Sequence, residues 1–505
     1  MAKQGITLYP YEGYQDNLKV WSYMELSHQG GKRYKDGKDS EDNDIFQMHR
    51  KEDAADAKKR KGRSSVVNYC RFFSDRFSGY LAKKEPNRCA KDEDSDWATF
   101  MDDATGSKMS FGDFVREWQK RALRLSPYWA RIDTQSAEMI PIERTALEQR
   151  SSGRRPLVSL ADPRNIIDYE IADNGEVIRI LVREERRFKV DATMKEVVQV
   201  VFTDWTPEVF QRYIKVGEKD VGNFTDLDPV KVIPAGEPQR NPWGFVPFVP
   251  LHFGDAEDEN PMFSPSMTHD VANFQRDVFR LLSLLYEELF DRTFTTTVIF
   301  GADENDVAPQ LDSTLLCIRE KGGSIDKAGS DTRQTDALLD ALHFAVRNTF
   351  RVAQFEASGD AKETRTAESG EKRRRDLEGL YQVMASYSTR TGTAENRLIM
   401  MWELMTKKEA GRFACSSHPR DFDIQTIDED LDQLLLMITA RMPITFLNEI
   451  RRGIVDKMRP HLSEKSWRKI EQELTRLEEE AEEEPEPSTT ESGSETSSET
   501  ATAAA

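Results

Sequence analysis

One stretch of the sequence is apolar on two sides of a single helix, so this helix needs more than one packing partner. Residues 265–292 read PSMTHDVANFQRDVFRLLSLLYEELFDR. At helical spacing, one stripe collects Val271, Phe274, Val278, Leu281, Leu285 and Leu289. A second stripe beside it collects Phe279, Leu282, Tyr286 and Phe290. An apolar surface this wide predicts a helix that packs on more than one side.

The first 264 residues mix helix and strand patterns. Residues 63–82 and 111–125 carry apolar side chains at helical spacing and predict two amphipathic helices. The first of these patterns uses Val66, Tyr69, Phe73, Phe77 and Tyr80. Residues 166–182 place two β-branched runs around Asn174-Gly175, a pair suited to a type I′ hairpin turn, and 197–205 predicts a further strand. This mixture predicts an α+β fold.

The second half is mainly helical, with one β-rich interruption. Strand patterns at 293–300 and 313–320 follow the double-striped helix, and 335–355 then predicts another helix. A long helical pattern over 377–405 contains Gly392, which is expected to weaken or kink it. Residues 421–477 predict a helical end domain.

The chain is acidic, and much of its charge lies at the end. From Glu478 onward there are ten Glu, no Lys or Arg and almost nothing apolar, which predicts disorder. This tail supplies about half of the net charge of −19, so the rest is only mildly acidic. A broad basic surface that coats nucleic acid is therefore not expected.

The sequence predicts neither a membrane span nor export. No apolar run approaches the roughly 20 residues that a membrane-spanning helix needs. The N-terminus lacks the pattern of a secretory signal, so we expect the protein to stay in the compartment where it is made.

Familiar catalytic and metal-binding motifs are missing from the sequence. It contains no phosphate-binding glycine loop, no HExxH and no nucleophile elbow. Residues 92–103, DEDSDWATFMDD, offer the oxygens of a calcium loop, but Trp97 stands where that loop needs glycine, so a solvated acidic loop is expected. The cysteines Cys70, Cys89, Cys317 and Cys415 are far apart, which predicts reduced, mostly buried thiols rather than a zinc site or a disulfide framework.

Two basic runs leave alternatives open. Residues 58–63, KKRKGR, could contact phosphates, resemble a nuclear localisation patch or form the solvated start of a helix. The run Lys372 to Arg375 has the same ambiguity. It ends the polar stretch 356–376, EASGDAKETRTAESGEKRRRD, which has no large apolar side chain although helical patterns flank it.

Several stretches, together with the order of the predicted parts, are similar to those of a known family. They are VVNYCRFFSDRFSGYLAKKEP, DFVREWQKRALRLSPYWARID, PRNIIDYEI, VPFVPLHFG and TRTAESGEKRRRDLEGLYQVM. Over residues 60–475 the chain resembles the portal proteins of tailed bacteriophages. The resemblance implies a portal-like ring subunit of eight parts. These are a wing (1–264), a first stem helix (265–292), a clip (293–330), a second stem helix (331–356), a tunnel loop (357–370), a long kinked wing helix with its connection (371–420), a helical crown (421–477) and the acidic tail (478–505).

The resemblance also implies a function without catalysis. Portal proteins form rings, usually dodecamers, at one capsid vertex, where DNA enters during packaging, is retained and later leaves. The implied partners are other copies of the chain, double-stranded DNA, the terminase large subunit, head-completion or adaptor proteins, tail proteins, the major capsid protein and a scaffolding protein. The implied location is the virion, with assembly in the host cytoplasm. No catalytic residue, metal or cofactor is implied.

The resemblance suggests which residues meet these partners. In the tunnel loop, Lys362 and Arg365 are the candidates for transient contact with DNA phosphates. Further candidates for DNA or another anion are Lys372, Arg373 and Arg374. In the clip, candidates for contact with terminase or head-completion proteins are Asp303, Glu304, Asp306, Arg319 and Lys321.

Two other classes of function compete with the portal hypothesis. A metal-dependent nuclease or similar hydrolase would use clustered carboxylates, but the clusters here lie in predicted loops and in the tail. A helical scaffolding or adaptor protein is expected to be mostly helix, and the strand patterns of the first half argue against it.

Overall fold

The structure is a computed structural model. It describes residues 6–50, 52–89, 94–134, 155–172, 175–188, 197–215, 230–256, 260–293, 296–300, 315–318, 324–328, 332–354, 370–420 and 422, and a few residues beyond 446. One compact unit covers Met1–Phe422, and a second covers Asp423–Ala505. The few described residues of the second unit, such as Leu447, are helical, and most of the predicted helical end domain at 421–477 lies outside the described residues. The tail prediction lies outside the described residues.

The described residues of the first unit contain both helices and strands, which confirms the α+β prediction. The helices are α1 (Tyr14–Gln29), α2 (Gly31–Lys35), α3 (Ala54–Arg63), α4 (Tyr69–Leu81), α5 (Ser95–Asp102), α6 (Phe111–Ala122), α7 (Thr268–Thr293), α8 (Thr332–Val352) and α9 (Gly370–Met405). The strands are β1 (Ile6–Leu8), β2 (Tyr128–Thr134), β3 (Pro156–Ala161), β4 (Ile166–Ile171), β5 (Val177–Phe188), β6 (Val197–Trp205), β7 (Val209–Lys215), β8 (Val230–Pro234), β9 (Gln239–Arg240), β10 (Phe248–Leu251), β11 (Thr296–Phe300), β12 (Leu315–Ile318) and β13 (Ser324–Ala328).

The strands form three sheets. A largely meandering antiparallel sheet has the order β1-β8-β7-β6-β5-β4, with β9 beside β7. A second sheet has the order β10-β2-β3. The third, β12-β11-β13, lies in the chain between α7 and α8, and its β11 and β12 are parallel.

Polar caps fix the starts of several helices. Asn68 accepts a hydrogen bond from the backbone N–H of Arg71 at 2.8 Å, so α4 begins at Tyr69 rather than near residue 63. Val66 therefore precedes the helix, although it still packs against the core. Ser110 caps α6 in the same way, and α6 confirms the predicted helix at 111–125 apart from its last three residues.

The predicted strands of the first half are confirmed. β4 and β5 pair antiparallel, as the hairpin prediction requires, and Gly175 in their turn has φ +79°. Asn174 lies outside the described residues. β6 matches the predicted strand at 197–205.

The described part of the acidic segment 92–103, from Asp94 onward, is mostly a helix, which corrects the prediction of a solvated loop. Asp94 caps α5 and pairs with Lys408. Trp97 and Phe100 on this helix are fully or almost fully buried, and the Trp97 ring lies 5.2 Å from that of Trp402 on α9. Tertiary packing of these aromatic side chains outweighs the polar composition of the segment.

α9 is assigned as helix without a break through Gly392. A Cβ at this position would lie 3.4 Å from Cδ2 of His418, so the glycine lies where another part of the chain approaches closely. That part is residues 411–419, here called the return segment, which runs back along α9 after the helix ends. Contacts between α9 and the return segment join Glu403 to Gly411 and Phe413, Asn396 to Ser416, Glu395 to His418, and Ser388 to Pro419.

A disulfide joins Cys89, between α4 and α5, to Cys415 of the return segment. This contradicts the prediction that the cysteines are reduced thiols. The two residues are 326 positions apart, so no local pattern could have revealed the pair. Cys70 is a free, fully buried thiol, as predicted.

Candidate functional site

The hairpin of α7 and α8 carries the most unusual surface of the described residues. The two helices pack antiparallel: Thr335, near the start of α8, donates a hydrogen bond to Glu288, near the end of α7, at 3.4 Å. The β12-β11-β13 sheet lies between them in the chain. Its third strand, Ser324–Ala328, was not predicted, because its sequence SIDKA has little β-branched character of its own.

The first half of α7 is packed on more than one side, as the double stripe predicts. Val271, Val278 and Phe279 are buried. On one side Gln275 binds α4 by accepting from the backbone N–H of Cys70 at 3.0 Å. Its amide also donates to the Ser27 carbonyl of α1 at 2.9 Å.

The second half of α7 is different, because four of its large apolar side chains remain exposed although Leu285 is buried. The buried positions of the hairpin are mostly small or polar, among them Ser283, Ala345 and Thr349. The exposed large apolar residues of the hairpin are Leu284, Tyr286, Leu289, Phe290, Leu339, Phe344 and Val352. This set is called the apolar face below, and its exposure reaches 69% at Phe344. The rest of the described chain leaves these side chains exposed, and they point in more than one direction, since residues two apart such as Leu284 and Tyr286 do not share a side of a helix. Exposed large apolar side chains of this kind are typical of protein interaction sites.

Aromatic side chains of α4 lie against the end of α8. Phe350 contacts Phe73 edge to face, with ring centroids 5.1 Å apart, and its ring lies 6.3 Å from that of Phe72. Phe73 is buried, whereas Phe72 is 45% exposed and Val67 41%. The apolar surface therefore includes residues of both the hairpin and α4.

Arg60 of the first basic run holds α3 against α7, and the run lies at the end of α3 rather than at the start of a helix as predicted. Arg60 is 4% exposed. Its guanidinium donates to both carboxylate oxygens of Glu52 at 2.9 and 2.8 Å, and to Ser283 of α7 at 2.7 Å. Arg60 is therefore an internal anchor rather than a phosphate contact or a solvated helix start.

Arg63 extends the same contact toward the apolar face. It pairs with Glu287 at 3.0 Å, and its guanidinium carbon lies 3.6 Å from the centroid of the Phe290 ring. Lys59 and Lys61 form ion pairs with Asp56 and Asp36. Four cations of the run thus have carboxylate partners within the chain.

Most of the predicted site residues fall outside the described residues. This holds for Lys362 and Arg365 of the proposed tunnel loop. It also holds for the clip candidates Asp303, Glu304, Asp306, Arg319 and Lys321. The backbones of Lys372, Arg373 and Arg374 belong to α9, while their side chains lie outside the description.

Sequence reasoning missed a buried charge cluster. Glu395 of α9 is fully buried; it accepts two hydrogen bonds from Arg88, at 2.6 and 2.9 Å, and lies 2.7 Å from Nε2 of His418. Burial raises the pKa of the Glu395 carboxyl, but hydrogen bonds from His418 and Arg88 outweigh burial and lower it to about 2. Three residues so far apart in sequence leave no motif. Their arrangement joins segments rather than presenting a reactive group.

A cleft of about 360 Å³ lies between the end of β10 and α9. Arg390 and Arg397 line it, but Arg390 pairs with Asp255, and Arg397 lies 3.8 Å from Glu176. Burial, and then the charge of Arg390, lowers the pKa of His252 at this cleft to about 4. The cations of the cleft thus have acidic neighbours of their own.

Among the residues that the structure describes, no group of three or more His, Cys, Asp or Glu could hold a metal ion. None of their helices combines the length and apolar character needed to cross a bilayer.

The apolar face of α7 and α8, continued by α4, is therefore the candidate functional surface, and it fits a protein partner. No family model and no curated protein matches the chain.

Proposed function

We propose that the chain is a subunit of a phage portal ring. The observation that carries the proposal is the apolar face: a two-helix hairpin that leaves seven large apolar side chains exposed. Such a hairpin gains stability when a neighbouring molecule covers it. In a ring, each copy contacts its two neighbours through two different surfaces, and exposed apolar side chains on more than one side of the hairpin suit such contacts.

The order of the elements supports the same proposal. An α+β body precedes α7, a small sheet separates α7 from α8, and a long helix follows the polar stretch 356–376. In the portal interpretation these are the wing, the stem with its clip, and the long wing helix, with residues 357–370 as the tunnel loop and 421–477 as the crown. The ring is a dodecamer at one capsid vertex of the virion.

The proposed ring acts as a conduit and not as an enzyme. Lys362 and Arg365 contact passing DNA, and Lys372, Arg373 and Arg374 are secondary candidates. Because the body of the chain is only mildly acidic and four of the five cations of its basic run at 58–63 pair with carboxylates of the same chain, DNA meets few fixed cations and can slide. Terminase and head-completion proteins bind at the clip, through Asp303, Glu304, Asp306, Arg319 and Lys321.

Native mass spectrometry and electron micrographs of the purified chain test the proposal. The expected result is a closed ring of about a dozen copies with a central channel. A chain that remains a monomer or a compact dimer over a wide range of salt and protein concentrations would refute it.

A further inference from the structure

The pair Cys89 and Cys415 lies at a junction of three segments. Cys89 follows Arg88 in the connection between α4 and α5, and Cys415 lies in the return segment beside α9. Their Cα atoms are 6.1 Å apart, inside the range of about 4.4–6.8 Å that disulfides use. The bond closes a covalent loop that contains α5 to α9.

Non-covalent contacts hold the same segments together on either side of the bond. The backbones of Asn87 and Ser417 exchange two hydrogen bonds of 2.9 Å. Arg88 binds Glu395, which in turn contacts His418. These contacts do not involve sulfur, so they keep the two cysteines close together when the bond is open.

Solvent can reach this pair. Cys415 is exposed and Cys89 is partly exposed. Cys70 is the contrast: it is fully buried, and burial raises the pKa of its thiol, so it has little thiolate character. A small thiol or disulfide in solution therefore has access to Cys415 and not to Cys70.

We infer that Cys89 and Cys415 form a reversible redox clamp on the return segment. With a small disulfide such as oxidised glutathione as oxidant, the Cys415 thiolate attacks one of its sulfurs and releases one glutathione thiolate. Cys89, deprotonated, then attacks the mixed disulfide and releases the second. Two protein thiols become one disulfide, and one glutathione disulfide becomes two glutathione molecules. An excess of reduced thiol reverses both steps. The clamp is independent of the portal proposal.

The clamp has a defined effect on the fold. In the open state the return segment is held by hydrogen bonds and one buried ion-pair cluster, and it can detach locally. In the closed state detachment is limited by a covalent bond, and the unfolded chain is restricted by a loop of more than 300 residues. The closed form is therefore the more stable one.

The redox clamp can be tested on the chain without any substitution. After equilibration with oxidised glutathione and alkylation of remaining thiols, peptide mass spectrometry should find Cys89 linked to Cys415 and Cys70 without glutathione. An excess of dithiothreitol should remove the link, lower Tm by about 5 °C and speed protease cleavage in residues 406–420. Absence of the linked peptide under oxidising conditions would overturn the inference, and so would equal Tm and equal cleavage in the two states.

Cysteine variants distinguish the effect of the clamp on Tm from other effects of glutathione and dithiothreitol. Cys89→Ser and Cys415→Ser should each abolish the difference in Tm between oxidised and reduced samples. Cys70→Ser is the matched control and should retain that difference, whatever its own Tm. A difference that persists in Cys89→Ser would contradict the assignment.

Discussion

Arg60 and Glu395 are charged side chains in the interior, and each has partners that satisfy its charge. Arg60 binds Glu52 and Ser283, and Glu395 binds Arg88 and His418. Removing one partner of a buried pair leaves the other charge without compensation, which costs more than losing a surface pair. Substitutions at these two positions are therefore expected to destabilise strongly.

Glu395→Gln should lower the free energy of unfolding by about 3 kcal/mol at pH 7, because the partly buried Arg88 loses its counter-charge. The loss should depend on pH. The pKa of Glu395 falls from 4.5 to about 2 on folding, so the carboxylate stabilises the fold fully above pH 4.5 and ceases to do so as the pH drops toward 2.

Chemical denaturation of both proteins between pH 7 and pH 2 measures this contribution. The difference between wild type and Glu395→Gln should be largest above pH 4.5 and should shrink by about 3 kcal/mol toward pH 2. A difference that does not change with pH would show that the carboxylate charge is not what stabilises the cluster.

Arg60→Ala should destabilise the protein by about 3 kcal/mol, because Glu52 loses its partner and α3 loses its anchor on α7. Lys58→Ala, in the same basic run but exposed, is the matched control and should change the free energy of unfolding by less than about 0.5 kcal/mol. Denaturant titrations compare the two. Equal effects would mean that the run is a solvated surface after all.

At the scale of elements, Gly392 offers a test of how α9 meets the return segment. A Cβ there would be at ordinary contact distance from His418, and alanine favours a helix interior over glycine. Gly392→Ala should therefore stabilise the protein by up to about 1 kcal/mol, whereas Gly392→Val should destabilise it by crowding His418. Thermal unfolding distinguishes these outcomes, and destabilisation by alanine would mean that the helix needs a flexible point there.

Elements with strong local patterns could be predicted from the sequence. α4, α6 and the β4-β5 hairpin follow from apolar spacing and a turn signal. α5 and β13 could not be predicted, because α5 depends on the contact of Trp97 with Trp402, and β13 on pairing with β11. For the candidate site, the sequence showed that the apolar surface of α7 is wider than one packing contact requires. The role of Arg60 and the Cys89–Cys415 pair depend on long-range contacts and were not.

For the whole molecule, the apolar face makes a prediction about assembly. Phe344→Asp should prevent or weaken oligomer formation and leave the subunit folded, because Phe344 is 69% exposed in the single chain. Tyr9→Asp is the control, since Tyr9 is 66% exposed but follows β1, outside the face. Native mass spectrometry reports the oligomer and circular dichroism the fold. Unchanged assembly of Phe344→Asp would remove the face from the interface.

The proposed contacts with DNA also make a prediction about the assembled ring. Replacing both Lys362 and Arg365 with Ala should reduce DNA packaging or retention while rings still assemble, because only transient phosphate contacts are lost. Micrographs of the rings and the DNA content of assembled particles are the two measurements. Normal DNA filling would exclude these residues from the channel contacts.

The return segment also determines how the first unit responds to a pulling force applied at Phe422. From Gly411 beside Glu403 to Pro419 beside Ser388, it follows about 22 Å of α9, antiparallel to the helix. Tension applied at Phe422 along that axis loads these contacts together, in shear, and the Cys89–Cys415 bond shares the load when it is closed. Tension perpendicular to the axis breaks the contacts one at a time, starting at Pro419. The contact between α9 and the return segment is therefore strong against tension along the axis of α9 and weak against tension perpendicular to it.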